Sequence, residues 1–273
     1  PIDFSENSLN ALRYGQLLFK DDETSFFLFS AHTVQPSNLL GDEWGNEWES
    51  AISFGVDNDL KEITEHFKAN NRNTKHYFKS TSYSELLLPA VKQLVKTMDI
   101  DFILMGTKGV KGLKSVFMGS NAVSIVKGVL GCPTIVVPQD FTPKITKQIV
   151  FSTNYKRPFL KEELIPLLEL LKQLQATLKV VQLMDEALLS EKQKLHKEAL
   201  VFLLEDTPHF FHKITYDTSE TKAIREFVKD TESDMLALIH HKQNFFAQLM
   251  EEDVVEKVSF HSSVPVLILP EKR

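Results

Sequence analysis

Cys132-Pro-Thr-Ile-Val-Val-Pro138 and Val264-Pro-Val-Leu-Ile-Leu-Pro270 are short apolar runs, each bracketed by prolines. Upstream of them, Asp101-Phe-Ile-Leu-Met105 parallels Asp234-Met-Leu-Ala-Leu238. From that aspartate to the final proline the distance is 37 positions in the first case and 36 in the second. At the front, Pro1-Ile-Asp-Phe4 parallels Ser152-Thr-Asn-Tyr155, with Asn154 standing where Asp3 does. Three anchors in the same order define a tandem repeat. The units span 1–140 and 146–273, joined through Gln139–Thr146, which carries Pro143.

Each unit alternates strand-like and helix-like stretches. Ser5 suits the cap of a helix over Glu6–Phe19, whose Leu9, Leu12 and Leu17 follow helical spacing. Ser25–Val34 predicts a strand, Asp59–Ala69 a helix, Thr74–Lys79 a strand and Tyr83–Thr97 a helix. Phe102–Met105 and Thr134–Val137 are unbroken apolar runs, the pattern of parallel strands buried on both faces. The second unit repeats the order: Gln148–Ser152, a helix to Gln173, Thr177–Met184 and a helix to Leu204. Strands alternating with helices imply right-handed crossovers and a parallel sheet, hence an α/β fold. Gln35–Asn58, holding Trp44, Trp48 and three glycines, is expected as a long loop with two rings packed on the sheet edge, a lid or a partner surface being the other reading.

The bulk properties bound the function. A hydrophobic fraction of 42% with 25% charged residues gives each unit a core of normal size. A net charge of −6 argues against general nucleic-acid binding, which needs a basic face. Cys132 is the single cysteine, so no intramolecular disulfide forms; its place beside Gly131 and Pro133 predicts a buried thiol. No apolar stretch approaches a membrane span and no secretory signal is evident, so the expected setting is the cytoplasm.

The chemistry concentrates in Met105-Gly-Thr-Lys-Gly-Val-Lys-Gly-Leu-Lys-Ser-Val-Phe-Met-Gly-Ser120, which follows a strand and leads into a helix expected near Asn121–Val129. Ligands of open parallel sheets settle beyond the carboxyl ends of strands. Glycines let backbone N–H groups converge on an anion, and Gly119-Ser120 stands at the helix start, where the dipole favours phosphate. Lys108, Lys111 and Lys114 add positive charge, with no acidic residue in the loop. The phosphate-binding P-loop pattern fails, because its glycines would fall at Lys108 and Leu113. The dinucleotide pattern fails too, because Gly106, Gly109 and Gly112 are spaced by threes.

The spacing Gly106-x2-Gly109-x9-Gly119-Ser120 resembles the motif of the universal stress protein family, in its tandem two-domain bacterial members. The resemblance extends to Pro1–Ser5, to Ala31-His32-Thr33 and to Cys132–Pro138. It implies two Rossmann-like, adenine nucleotide α-hydrolase-like units, each an open parallel five-stranded sheet flanked by helices. By this analogy the first strand, central in the fold, lies upstream of Pro1 and is missing from the numbering. The resemblance further implies a stress-response protein that binds ATP or AMP, with Mg²⁺ accompanying ATP. Asp3 and Thr33 would meet the adenine and ribose, and Met105 and Gly106 would line the base. Lys108 lies in the loop, while Gly109, Gly119, Ser120 and Asn121 would hold the phosphates; Asn121 departs from the small aliphatic residue common there. Family members pair through the last strand, so Thr134–Val137 and Val266–Leu269 are expected to form an intramolecular pseudo-dimer, with a further homodimer left open.

The second unit reads differently. Ile239, Lys242 and Phe245 face Gly106, Gly109 and Gly112, and the helix start carries Glu251-Glu252-Asp253. Those acids occupy the helix N-terminus and repel phosphate, so no equivalent site is expected there. His209 and His212 lie on a strand-like segment at a spacing that points them to opposite faces, which argues against a shared metal. No nucleophile triad or paired carboxylates emerge, so catalysis is expected to be absent or limited to slow ATP hydrolysis. A nucleotide-independent adapter for unknown protein partners is the second reading.

Overall fold

Ser5 stands in an extended conformation and its hydroxyl accepts the Ser8 amide, starting the first helix, α1 (Glu6–Leu18). The computed structural model describes residues 1–33, 42–107, 119–183, 185–215, 220–240 and 262–271, with side chains 42–49 outside that description. After α1 come β1 (Thr24–Ala31), α2 (Asp42–Asn70), β2 (His76–Tyr83), α3 (Leu87–Thr97), β3 (Ile103–Gly106), α4 (Ser120–Gly128) and β4 (Thr134–Val137). The second repeat follows with β5 (Gln148–Thr153), α5 (Lys161–Leu174), β6 (Thr177–Gln182), α6 (Glu191–Leu203), β7 (His209–Lys213), α7 (Glu220–Asp230), β8 (Met235–His240) and β9 (Val266–Pro270).

The α/β class and the tandem arrangement hold, and the strands are distributed in an informative way. Seven form one sheet in the order β3-β4-β9-β8-β5-β6-β7, while β1 and β2 pair separately. All pairs are parallel except β4 with β9, which run antiparallel with Ile135 opposite Leu267. Because β4 and β9 are equivalent strands, this junction is the expected pseudo-dimer contact, made within one chain. Both faces of the large sheet are buried, and alternate residues divide between two clusters. Ile135, Ile149, Phe151, Ala237 and Leu267 belong to one; Val136, Val150, Leu236, Leu238 and Val266 belong to the other. That explains why these strands read as unbroken apolar runs.

In the second repeat β5 lies between β6 and β8 and pairs with both. The equivalent position in the first repeat, between β1 and β3, holds no strand among the described residues. A groove of about 710 Å³ opens there, lined by Ile2, Leu28, Phe29, Leu94 and Ile103 among others. Ile2 reaches its upper end, donating its amide to the Phe29 carbonyl at 2.7 Å. A separate small core, with Leu12, Leu28, Leu60, Phe67 and Phe78, supports the β1–β2 pair.

The backbone confirms the alignment of the two fronts. Phe4 and Tyr155 both adopt left-handed conformations, with φ of 61° and 55°. Ahead of each, a side chain closes the same turn: Asp3 Oδ1 accepts the Ser5 amide at 3.2 Å, and Asn154 Oδ1 accepts the Lys156 amide at 3.1 Å. Asn154 therefore keeps the turn and drops the charge.

The stretch expected as a loop, Gln35–Asn58, is helical from Asp42 onward and continuous with the expected helix at Asp59–Ala69. Gly45 and Gly55 weaken the helical signal, but Leu60 and Phe67 bury against the β1–β2 pair, and tertiary packing outweighs the propensity cost. Residues 34–41 and the side chains of Trp44 and Trp48 lie outside the described residues. The segment between the repeats is tied down: Phe141 and Thr146 are buried, the Tyr14 hydroxyl meets Thr146 Oγ1 at 2.8 Å, and the Asn10 amide donates to the Phe141 carbonyl at 2.7 Å. Cys132 is buried, its thiol directed at the Ile100 carbonyl. No described helix is long and apolar enough to cross a membrane.

Candidate functional site

The candidate site is assembled at the carboxyl ends of β1 and β3 and the amino ends of α1 and α4. Asp3 is exposed and its carboxylate accepts the Ser5 hydroxyl at 2.5 Å and the Ser5 amide at 3.2 Å. Partial burial pushes its pKa up, but hydrogen bonds from Ser5 and Ser8 outweigh that and hold it below the usual carboxylate value. Asp3 is thus ionised and oriented. Thr33 is exposed, two residues past β1.

β3 ends at Gly106, and Thr107 continues the ladder by donating its amide to the Val137 carbonyl at 2.9 Å. Met105 packs inside the core with Ile103, Val126 and Val136, so what it presents beyond the strand end is backbone. Gly106 lies against the first turn of α1. A Cβ there would sit 2.6 Å from Asn7 Cγ and 2.7 Å from the Asn7 carbonyl oxygen. Glycine is therefore demanded by close approach, and that approach brings the end of β3 to the helix that follows Asp3.

At α4, Gly119 is the cap residue, extended at φ −60° and ψ 159°, with no side-chain capping bond and no acid in the first turn. Among the described residues no side chain caps the amides of that first turn. Ser120 and Asn121 are exposed on that turn. Lys108 and Gly109, with Lys111 and Lys114, lie outside the described residues, as does the acidic run Glu251–Asp253 of the second repeat.

Three residues not assigned a role from the sequence stand out by their unpaired atoms. Asn7 Oδ1, His32 Nδ1 and Thr107 Oγ1 are buried polar atoms without a hydrogen-bond partner among the described residues. They sit at the start of α1, just past β1 and just past β3. Buried polar groups are nearly always paired, so each of these atoms has capacity for a further hydrogen bond among the described residues. His32 is held from its other side: its Nε2 meets Ser53 Oγ at 3.0 Å and Ser84 Oγ at 3.3 Å. The only sequence signal for Asn7 and Thr107 is position, one near a helix cap and the other inside the glycine motif.

The second repeat differs at the matching positions. Ile239, the counterpart of Gly106, is buried in the core cluster that also holds Tyr155 and Phe151. Ser152 Oγ and the Tyr155 hydroxyl, on or beside β5, are also unpaired among the described residues, but position 154 carries Asn in place of the carboxylate. His209 stacks edge-on with Phe211, while His212 packs on Phe227 of α7, so the two imidazoles serve opposite faces of β7.

A family model described as Universal stress protein family matches residues 1–138 and 167–270. Among solved structures, the chain is similar to a universal stress protein from Archaeoglobus fulgidus DSM 4304, at 16% identity and a TM-score of 0.68, over 99% of this chain and 94% of that one. A putative universal stress protein from Pseudomonas aeruginosa UCBPP-PA14 aligns at 11% identity and a TM-score of 0.63, over 99% and 90% of the two chains. The cytoplasmic domain of a prokaryotic cation chloride cotransporter aligns at 10% identity and a TM-score of 0.52, over 96% and 90%. At such identities the likeness is one of fold. No curated protein matches the chain.

Proposed function

The chain belongs to the universal stress protein family, and from that premise we propose that its first repeat binds one adenine nucleotide, ATP or AMP, as a regulatory ligand. The observations that carry this reading are the buried polar atoms of Asn7, His32 and Thr107, unpaired among the described residues, and the start of α4, which Gly119 caps without a side-chain hydrogen bond. A nucleotide supplies what both lack: hydrogen-bonding groups on base and ribose, and an anion for the helix N-terminus.

In this reading Asp3 and Thr33 hold the nucleoside, Asp3 as an ionised acceptor of ribose hydroxyls. The backbone at Met105 and Gly106 lies along the base, the glycine letting the start of α1 close in on the end of β3. Gly109, Gly119, Ser120 and Asn121 hold the phosphates through N–H groups and the Ser120 hydroxyl, and Lys108 balances their charge. Mg²⁺ enters with ATP, carried by the phosphates. The second repeat takes no equivalent ligand, because Ile239 fills the glycine position and Asn154 carries no charge. The protein acts as a binding module of the stress response, in the cytoplasm. Turnover, if any, is slow, since among the candidate site residues Asp3 is the carboxylate and in this reading it serves the nucleoside.

Titration calorimetry with ATP and Mg²⁺, and separately with AMP, tests the proposal. The expected result is one site per chain, abolished by Gly119→Val, which places a branched side chain over the α4 amides. A rise in melting temperature should accompany binding, because a ligand at 100 times its Kd stabilises by about 2.7 kcal/mol. Absence of heat and of any thermal shift at millimolar ATP would hand the function to a nucleotide-independent adapter. Two equal sites per chain would refute the assignment to the first repeat.

A further inference from the structure

We propose that the outer face of α6 is a self-association surface, through which two copies of this chain pair with their α6 helices antiparallel. The inference does not depend on the nucleotide reading. α6 buries Leu200 against the sheet and half-buries His196, Lys197 and Leu203 on the same side. Its opposite side carries large exposed apolar residues beside the acids Glu191 and Glu198, where a solvated helix should be polar throughout. Leu195 and Phe202, seven residues apart and so on one face, are 63% and 75% exposed. Leu188, just ahead of the helix, is 71% exposed. Ala199 lies between Leu195 and Phe202, also exposed, and its small side chain lets a second helix approach.

The charges select the occupant and its direction. Lys192 and Lys194 are exposed in the first turn, and Glu205 and Asp206 are exposed just past the last. This order opposes what the helix dipole favours, which is acids at the amino end and bases at the carboxyl end. Glu191 engages Lys194 at 2.7 Å and offsets part of the excess, but the last turn of α6 holds no base. Charges that work against their own helix are accounted for by a partner helix lying antiparallel. The basic end of one α6 then meets the acidic end of the other, twice over by symmetry, and the two dipoles oppose. A parallel pair would set like charges together. In the antiparallel pair Leu195 of one copy lies across from Phe202 of the other, with Ala199 near the two-fold axis and Glu198 at the edge of the contact, one turn from Lys194 of its own helix. A self-complementary face of this kind fits a second copy of the chain.

The contact spans one helix of 13 residues, about 20 Å long, which is short of the roughly 1,200 Å² that stable complexes bury. The pair is therefore concentration-dependent. Sedimentation velocity across a concentration series should show the weight-average mass rising from the monomer value of 31.2 kDa toward twice that. Phe202→Glu and Leu195→Glu should each weaken association by at least about tenfold, since buried apolar anchors dominate such contacts. Both positions are exposed in the monomer, so circular dichroism and melting temperature should be unchanged. The charge-reversed pair Lys192→Glu with Lys194→Glu should also weaken association, and adding Glu205→Lys with Asp206→Lys should restore it. A chain that stays monomeric at the highest concentrations overturns the proposal. So does a dimer indifferent to Phe202→Glu, or one that the compensating reversal does not restore.

Discussion

Replacing Gly106 with alanine tests the contact on which the site's geometry rests. The new Cβ would stand 2.6 Å from Asn7 Cγ, 2.7 Å from Asn7 Nδ2 and 2.7 Å from the Asn7 carbonyl oxygen. The amide group can rotate away, but the carbonyl belongs to the first turn of α1, whose start is pinned by the Ser5 cap. Atoms in good contact lie about 3.5–4.0 Å apart, so from 2.7 Å α1 must move back by about 0.8–1.3 Å. Overpacking of this kind costs about 1–3 kcal/mol. Alanine recovers about 0.5–1 kcal/mol by restricting the unfolded chain, which leaves a net loss of about 1–2 kcal/mol. For a chain of this size that lowers Tm by about 2–8 °C. Gly55→Ala is the internal control: nothing lies within 4 Å of its Cβ position in α2, so helix propensity alone should raise stability by up to about 1 kcal/mol. Differential scanning calorimetry on both variants reads the two signs. A Gly106→Ala chain as stable as the parent would show that α1 does not press on the end of β3. Calorimetric titration of the same variant should also show weaker nucleotide binding, because the shift carries Asn7 and Asp3 away from β3.

Two further perturbations probe the frame around the site. Ser5→Ala removes a helix cap and a hydrogen bond to Asp3, and should cost about 1 kcal/mol at neutral pH. The Asp3 pKa is held below its ordinary value of 3.8, so its contribution is present above that pH and disappears as pH falls through the folded-state value. Urea unfolding of parent and variant at pH 7 and in acid should therefore show the gap narrowing toward low pH; a gap that widens in acid contradicts the assigned bonds. Asp234→Ala removes an acceptor that takes the Lys147 and Gln148 amides, each at 2.9 Å, and pairs with Lys144 at 2.6 Å. Two amides at the start of β5 lose a charged acceptor, and the expected loss is about 3 kcal/mol, read as a lower urea midpoint. A loss below about 1 kcal/mol would mean that water replaces the carboxylate there.

The amino-acid sequence by itself determined the repeat, the order of strands and helices, and the separation between a glycine-bearing unit and one without. Those features are local. Apolar runs between prolines specify buried strands at Thr134–Val137 and Val266–Pro270 wherever they lie, and a serine before a helical pattern specifies a cap at Ser5. The equivalence of Asp3 and Asn154 was legible too, and the shared left-handed residue after each confirms it. Tertiary structure alone decided the rest. β4 and β9 join the repeats into one seven-stranded sheet because each presents a free edge to the other, which no single run announces. α2 is a long helix despite its glycines because β1 and β2 supply an apolar surface for Leu60 and Phe67. Asn7 and Thr107 look like ordinary polar residues in the sequence; their unpaired atoms acquire meaning from being buried at converging strand ends. Burial and pairing are properties of the whole packing, and for that reason the motif was visible in the chain while the unpaired polar atoms near it were not.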